Sequence, residues 1–220
     1  MNTSSFLGTI SEFDNTYKLF QDKFPSGGLG VYSNYDWNRL FIAYQLVQGE
    51  SVLDVGIGNG AFSNILTKSK RFNKVVGIDI RKNSKLVMPE DNYSFYEMSV
   101  VNLKFSDHQF DTVVAMEVLE HIEIQDFPVA LKGLRRVAKN RLVTTVPYNE
   151  PEPVWWHDKS GGHRQSFNDH KLQKFFPNAV GTIVDRGGID WIMMVEDFFK
   201  LESFTIISNQ DFISRFIKRD

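Results

Sequence analysis

The chain has 220 residues, of which 42% are hydrophobic and 24% charged, and its formal net charge is −2. This length and balance predict a single globular domain with a sizeable core. The lack of a basic excess argues against non-specific nucleic-acid binding. Because the chain contains no cysteine, disulfides, thiolate zinc sites and a cysteine nucleophile are excluded.

Targeting signals are not evident in the sequence. The longest tight apolar run, Trp191 to Val195, is far too short to span a bilayer. The first residues include Glu12 and Asp14 and lack the basic start and apolar stretch of a signal peptide. We therefore expect a cytoplasmic protein without a membrane span.

Two helices are predicted at the start of the chain. Phe13, Tyr17 and Phe20 recur at helical spacing within residues 11–22. A second helix is predicted over about residues 36–47, with Asp36 as its N-cap.

From residue 51 onward, strand patterns alternate with helix patterns, which favours a parallel sheet covered on both faces. The predicted strands are 51–55, 74–79, 93–97, 110–116 and 141–146, and the predicted helices are 60–69 and 127–138. After Pro147 a long polar and aromatic stretch, residues 148–170, is predicted to be a substrate lid. Strand patterns at 181–185, 190–195 and 203–208 and a short helix near 211–218 follow.

A glycine-rich turn after the first strand is the strongest functional signal. The sequence Leu53-Asp54-Val55-Gly56-Ile57-Gly58-Asn59-Gly60 joins a buried strand to a helix, and Asp79 ends the next strand. Glycines allow a tight turn with close ligand approach, and an acid at the position of Asp79 can hold both ribose hydroxyls of a nucleoside. The pattern also fits dinucleotide-binding folds, which however normally carry an apolar residue where Asp54 stands.

The glycine turn, Val76-Gly77-Ile78-Asp79, and Phe110-Asp111-Thr112-Val113-Val114 leading to Glu117-Val118-Leu119-Glu120-His121 together resemble class I S-adenosylmethionine-dependent methyltransferases. The subgroup with ubiquinone and menaquinone biosynthetic enzymes is most similar. The resemblance implies a Rossmann-like α/β fold with a doubly wound, seven-stranded, mostly parallel sheet whose last strand is antiparallel. It also implies a single domain over 1–220, divided into an N-terminal helical cover (1–48), a cofactor-binding core (49–147), and a lid with C-terminal strands (148–220).

The resemblance assigns S-adenosylmethionine as cofactor and places its binding residues by position. Gly56, Gly58 and Gly60 would contact the methionyl part, Asp54 the amino group, and Asp79 the ribose. Other residues assigned to the cofactor site follow the strands or belong to the second helix: Ile80, Met98, Ser99, Met116, Glu117 and Arg39. Ser99 replaces the aspartate that usually meets the adenine amino group. Arg39 could bind the cofactor carboxylate, or it could be a surface arginine.

Histidines are the candidate catalytic residues. Methyl transfer to a hydroxyl needs a general base, and His121, after the fourth strand, suits that role. His163 in the lid is the second candidate. Alternatively, His121 packs the turn and Glu120 is solvated. The Trp155-Trp156 pair suits a sugar-stacking platform, or it fills the core.

Glu117, Glu120, His121 and His163 also resemble the magnesium ligands of small-RNA 2′-O-methyltransferases. Magnesium prefers oxygen ligands, so we expect no metal here. The basic run Lys132, Arg135, Arg136, Lys139 and Arg141 is interpreted as a helix C-terminal feature, not a nucleic-acid patch. The sequence thus predicts O-methylation of a small-molecule acceptor, such as a quinone precursor or a sugar. The alternatives are metal-dependent RNA 2′-O-methylation and S-adenosylmethionine binding without turnover.

Overall fold

The computed structural model describes residues 3–23, 34–89, 91–150, 162–185, 190–200 and 202–217. The predicted Trp155-Trp156 platform lies outside the described residues. None of the described helices is long and apolar enough to cross a membrane.

The six helices of the described chain account for every helix predicted from the sequence and add one. They are α1 (Thr3–Lys23), α2 (Asn34–Leu46), α3 (Ala61–Lys68), α4 (Phe127–Val137), α5 (Asp169–Phe175) and α6 (Asn209–Phe216). The additional helix is α5, which begins where the predicted lid ends. Asn168 caps it by accepting a hydrogen bond from the backbone N–H of Lys171.

Eight strands form one sheet. They are β1 (Ser51–Val55), β2 (Lys74–Asp79), β3 (Tyr93–Glu97), β4 (Phe110–Met116), β5 (Ala138–Pro147), β6 (Val180–Val184), β7 (Trp191–Asp197) and β8 (Thr205–Ile206). Their spatial order is β3-β2-β1-β4-β5-β7-β6-β8.

The predicted α/β fold with a mostly parallel sheet is confirmed, but the predicted count of seven strands is wrong. β7 runs antiparallel to both of its neighbours, β5 and β6. The two residues of β8 then add an eighth strand by pairing parallel to β6 at the sheet edge. The antiparallel strand is therefore the seventh strand and not the last.

Helices cover both faces of the sheet, as in a doubly wound fold. One buried apolar cluster joins the sheet to α1, α2, α3 and α6, through residues such as Phe20, Leu46 and Phe212. The second cluster joins the opposite face to α4 and α5, through residues such as Leu134 and Leu172. Because β1, β2, β4 and β5 are parallel, their carboxyl ends lie along one edge of the sheet. Ligands bind at this edge in such folds.

Candidate active site

The turn between β1 and α3 has a backbone that only glycine adopts readily. Gly56, Gly58 and Gly60 have φ angles of 73°, 55° and 86°. A Cβ on Gly60 would lie 2.7 Å from the carbonyl oxygen of Val87. The turn therefore places backbone N–H groups at the carboxyl end of β1 and the start of a helix, where an anionic group is favoured.

Asp79 at the end of β2 faces this turn. Its Oδ2 accepts a hydrogen bond from the backbone N–H of Gly58 at 3.1 Å. Asp79 is half-buried. A cleft of about 320 Å³ opens beside it, lined by Asp79, Arg81, Lys82, Asn83 and Ser84. A carboxylate fixed to the glycine turn beside an open cleft fits the hydroxyls of a ribose.

Asp54 is buried within β1, directly before the glycine turn, with an exposed fraction of 3%. Its Oδ2 accepts a hydrogen bond from the Ser63 hydroxyl at 2.6 Å. The pKa of Asp54 is raised from 3.8 to about 7: burial raises it most, the Ser63 hydrogen bond lowers it in part, and the charge of Asp79 adds to the rise. The folded protein therefore holds a proton on Asp54 at pH values where the unfolded chain has lost it.

This proton linkage makes stability fall with rising pH. Between about pH 4 and pH 7 the folded state binds more protons at Asp54 than the unfolded state, so the free energy of unfolding decreases as the pH rises through this window. We expect Asp54→Asn to flatten the curve by about 1 kcal/mol per pH unit. Urea unfolding at a series of pH values measures this difference.

Asp91→Asn, at an exposed position, is the matched control and should keep the wild-type slope. Burial also raises the pKa of Glu120, so the wild-type curve contains a second contribution of the same sign. That contribution is present in both proteins and cancels in the comparison. If the free energies of unfolding of wild type and Asp54→Asn run parallel across this pH range, the raised pKa of Asp54 is contradicted.

Three predicted cofactor residues lie beyond Asp79, at the ends of β2 and β3. Ile80 is 74% exposed beside Asp79. The backbone N–H of Met98 donates to the carbonyl oxygen of Asp79 at 2.8 Å, which ties the two strand ends together. The Ser99 hydroxyl oxygen accepts from the backbone N–H of Val101 and caps a short 3₁₀ turn, Val100–Asn102. Its hydroxyl hydrogen is still able to donate to a ligand.

Glu117, after Met116 at the end of β4, is the hub of a hydrogen-bond network. Its backbone has φ 55°, a rare conformation for a non-glycine residue. Its carboxylate accepts hydrogen bonds from the Thr145 hydroxyl at 2.9 Å and from the Trp191 indole N–H at 2.6 Å. Arg39 Nη1 lies 3.8 Å from the same carboxylate.

Arg39 reaches this network from α2. Its guanidinium donates to Asp36 at 2.9 Å and lies 4.4 Å above the Trp191 ring. Arg39 is only 5% exposed, so its interpretation as a surface arginine is wrong. The predicted helical cover thus contacts the end of β4 through a buried ion pair.

Glu120 and His121 lie on a 3₁₀ turn, Leu119–His121. Glu120 is fully buried, so the alternative in which Glu120 is solvated is wrong. Among the described residues, neither of its carboxyl oxygens has a hydrogen-bond partner. Burial, together with the charge of Glu117, raises its pKa well above the usual range, while Arg39 lowers it. Its neutral form is therefore favoured, unless a cation lies beside it.

His121 is 36% exposed, and its Nδ1 lies 3.1 Å from the carbonyl oxygen of Gly162. Burial lowers the pKa of His121, the hydrogen bond to Gly162 raises it, and His163 and Arg164 lower it. A neutral imidazole with a pKa below its ordinary value is available as a base at neutral pH.

His163 brings the described part of the predicted lid onto this turn. Its ring lies 5.1 Å from the His121 ring, and its Nδ1 is 2.7 Å from Glu150 Oε2. Within the described part of the chain, Glu120, His121 and His163 each offer one ligand atom, and these atoms lie within 4.8 Å of one another. Glu117 is not part of this group, because its carboxylate binds Thr145 and Trp191 instead. The 3₁₀ turn begins only at Leu119, so Glu117 does not share a helical face with Glu120 and His121.

Hydrogen bonds to backbone carbonyl oxygens hold the segment that carries His163 in place. The side-chain amide of Gln165 donates to the carbonyl oxygens of Leu119 and Ile122 at 3.0 and 2.8 Å. The backbone N–H of Arg164 donates to the carbonyl oxygen of Glu120 at 2.7 Å. The two candidate histidines are therefore held on two segments that support each other.

The arginines of the predicted basic run serve the fold. Arg135 pairs with Glu196 at 2.8 Å, Arg136 with Asp107 at 2.7 Å, and Arg141 with Asp197 at 2.6 Å. Arg135 and Arg136 lie in the last turn of α4, as predicted, whereas Lys139 and Arg141 belong to β5.

A glycine turn after β1, an acid after β2 and the strand order of the sheet define the Rossmann-like fold of class I methyltransferases. Residues 53–141 match the family model described as a methyltransferase domain. This match, over 89 of the 220 residues, bears out the predicted resemblance to S-adenosylmethionine-dependent methyltransferases across most of the predicted cofactor-binding core.

Curated relatives share parts of the chain. A 2-methyl-6-phytyl-1,4-hydroquinone methyltransferase of Synechocystis is 37% identical over 99 residues, which are 43% of this chain and 30% of that protein. An erythromycin 3''-O-methyltransferase of Saccharopolyspora erythraea is 27% identical over 131 residues, 49% of this chain and 43% of that protein. A small RNA 2'-O-methyltransferase of Tetrahymena thermophila is 23% identical over 143 residues, 56% of this chain and 34% of that protein. The chain therefore spans less than half of the length of each of these relatives.

Among solved structures, a 1,6-didemethyltoxoflavin-N1-methyltransferase of Burkholderia thailandensis with bound S-adenosylhomocysteine has a TM-score of 0.59 and 14% identity. The similarity covers 90% of each chain. At this identity the similarity concerns the fold.

Two functional candidates, Glu150 and Trp191, were not predicted from the sequence. Glu150 follows β5 at the ligand-binding edge of the sheet, so its position alone was a usable signal. Trp191 contacts Glu117 across 74 positions of sequence, and no local pattern indicates such a contact.

Proposed function

We propose that the chain transfers the methyl group of S-adenosylmethionine to a hydroxyl oxygen of a small-molecule acceptor. The observation that carries this proposal is the pair of histidines at the carboxyl end of β4, each of which has its Nδ1 next to a hydrogen-bond acceptor. In a neutral ring this leaves Nε2 as the basic atom. Either Nε2 can take the proton of a hydroxyl whose oxygen attacks the methyl carbon.

The cofactor residues have the following proposed roles. Asp79 accepts hydrogen bonds from the ribose hydroxyls, while Gly56, Gly58 and Gly60 admit the methionyl part and Asp54 faces its amino group. Ile80, Met98 and Ser99 border the adenine, and Met116, Glu117 and Arg39 close the site at β4. When bound, S-adenosylmethionine supplies an activated methyl group on a sulfonium. The protein supplies alignment and a proton acceptor.

The acceptor class is the least constrained part of the proposal. The printed names of the Synechocystis and Saccharopolyspora relatives refer to a hydroquinone and to O-methylation, which supports a phenolic or sugar hydroxyl. We propose that the described residues 162–170 border this acceptor and that α2 borders the site from the side of Arg39. Nucleic acid as the acceptor belongs to the second candidate function.

Methyl-labelled S-adenosylmethionine tests the proposal. The chain is incubated with a small-molecule extract, and labelled products are analysed by mass spectrometry before and after alkaline hydrolysis. We expect a labelled methyl ether, which survives hydrolysis. Label on a nitrogen atom, a hydrolysable methyl ester, or cofactor binding without any transfer would contradict the proposal.

The second candidate is metal-assisted 2′-O-methylation of RNA. It is favoured by the convergence of Glu120, His121 and His163, and by the buried Glu120 carboxyl, which has no hydrogen-bond partner among the described residues. A divalent cation would compensate the cost of burying this carboxylate. Two imidazoles and one carboxylate suit manganese, cobalt or zinc better than magnesium. The Tetrahymena relative, named as a small RNA 2'-O-methyltransferase, adds support.

Chelation separates the two candidates. If a histidine is the base, incubation with a chelator should leave methyl transfer to the small-molecule acceptor unchanged, and this is the result we expect. Loss of transfer, restored by added Mn²⁺ and accompanied by label in short RNA, would instead favour the second candidate. Glu120→Gln is the matched variant, because it should abolish the response to Mn²⁺ only if the cation binds at this cluster.

A further inference from the structure

Glu150 is a buried acid three positions beyond the end of β5, at the edge of the sheet where the parallel strands have their carboxyl ends. Its side chain is 3% exposed, and its Oε2 lies 2.7 Å from Nδ1 of His163. Burying a carboxylate is costly unless it is paired and hydrogen-bonded. His163 supplies such a partner, so the contact is a built feature of the site and not an incidental surface pair.

The contact determines where the histidine carries its hydrogen. A carboxylate can only accept a hydrogen bond, and a neutral imidazole has a single N–H. With Nδ1 beside Glu150, the hydrogen of His163 lies on Nδ1 and the lone pair lies on Nε2. His121 is held in the same way, because its Nδ1 faces the carbonyl oxygen of Gly162, which also only accepts.

We infer that Glu150 is a positioning residue for His163. It selects the tautomer with hydrogen on Nδ1, fixes the ring at 5.1 Å from that of His121, and so makes Nε2 the basic atom at the Glu120–His121 turn. The consequence for the acceptor rests on the proposed function, whereas the tautomer of His163 does not.

A purely structural role for Glu150 has different consequences. The segment that carries His163 is also held to the residues after β5, because the backbone N–H of Asn149 donates to the carbonyl oxygen of Phe167 at 2.8 Å. If Glu150 only anchored the segment, its loss would lower stability and leave the tautomer of His163 unchanged. The readout must therefore be the tautomer itself.

Nitrogen-15 histidine labelling with long-range proton–nitrogen correlation spectra measures this tautomer at mildly alkaline pH. In the wild-type protein we expect His163 with hydrogen on Nδ1. Glu150→Gln should keep this state, because the amide oxygen still accepts. Glu150→Ala should give a mixture of tautomers. Glu123→Gln removes an exposed carboxylate beside Arg164 and should match the wild type.

Hydrogen on Nε2 of His163 in the wild type, or an unchanged tautomer in Glu150→Ala, would overturn the inference. If Glu150→Ala does not fold, hydrogen on Nε2 of His163 in the wild type or in Glu150→Gln still overturns the inference. In parallel, Glu150→Ala should reduce methyl transfer about ten- to a hundredfold with Glu150→Gln restoring it. If the spectra show the expected tautomers but the chain transfers no methyl group, the proposed function is refuted and the role of Glu150 still holds.

Discussion

Replacing Asp79 with alanine is expected to weaken the binding of S-adenosylmethionine about a hundredfold or more. The variant loses an ionised acceptor for two ribose hydroxyls, and each charge-assisted hydrogen bond contributes about 1.5–3 kcal/mol. It also loses the hydrogen bond from Gly58 that fixes the carboxylate to the glycine turn. Titration calorimetry with S-adenosylmethionine or S-adenosylhomocysteine measures the effect directly.

Two further variants control for charge and for position. Asp79→Asn keeps the size and one acceptor oxygen, so its affinity should lie between those of the wild type and Asp79→Ala. Asp91→Ala removes an exposed acid before β3, at the opposite edge of the sheet, and should bind like the wild type. Wild-type affinity in Asp79→Ala, or an equal loss in Asp91→Ala, would be incompatible with a ribose site at Asp79.

The second large effect is expected at His121. In His121→Asn, methyl transfer to a hydroxyl acceptor should fall about a hundredfold or more, the usual contribution of a positioned general base. Because the base acts when deprotonated and burial lowers the pKa of His121, wild-type turnover should rise with pH and level off below the ordinary titration range of histidine. Initial rates measured across pH should show that turnover of His121→Asn lacks this rise with pH.

Cofactor affinity separates a catalytic histidine from a structural one. Calorimetry should give nearly the same affinity for His121→Asn and for the wild type, because the histidine faces the acceptor in this account. His108→Asn is the matched control, since His108 contacts Ala138 at the start of β5, away from the active edge. If His121→Asn loses cofactor affinity as strongly as turnover, the histidine supports the fold and not the reaction.

Most of the sheet could be predicted because its strands carry strong local patterns. The limits of β1, β2, β3 and β4 agree with the predicted ones, since each is an apolar or aromatic run ended by glycine or polar residues. The helix α5 was missed because only Leu172 of its seven residues is buried, which leaves no apolar stripe. The predicted strand at 203–208 contains β8, but β8 has only two residues, and no local pattern indicates its pairing with β6.

The site was predictable where function depends on chain position. The glycine turn and Asp79 follow from a strand, a tight turn and the next strand end. Burial of charged groups did not follow in this way. Arg39 is buried because Asp36, Glu117 and Trp191 surround it, and Glu120 is buried because the segment after residue 161 closes over its turn. Such partners are distant in sequence, so composition and periodicity favour the surface for both residues.

Binding of the cofactor by the unmodified chain tests the central claim most directly. Titration calorimetry should show that S-adenosylmethionine and S-adenosylhomocysteine each bind at one site, while NAD gives no heat of binding under the same conditions. This result is predicted by an acid at the end of β2 facing a glycine turn in a methyltransferase domain. Tight binding of NAD without any response to S-adenosylmethionine would contradict the account.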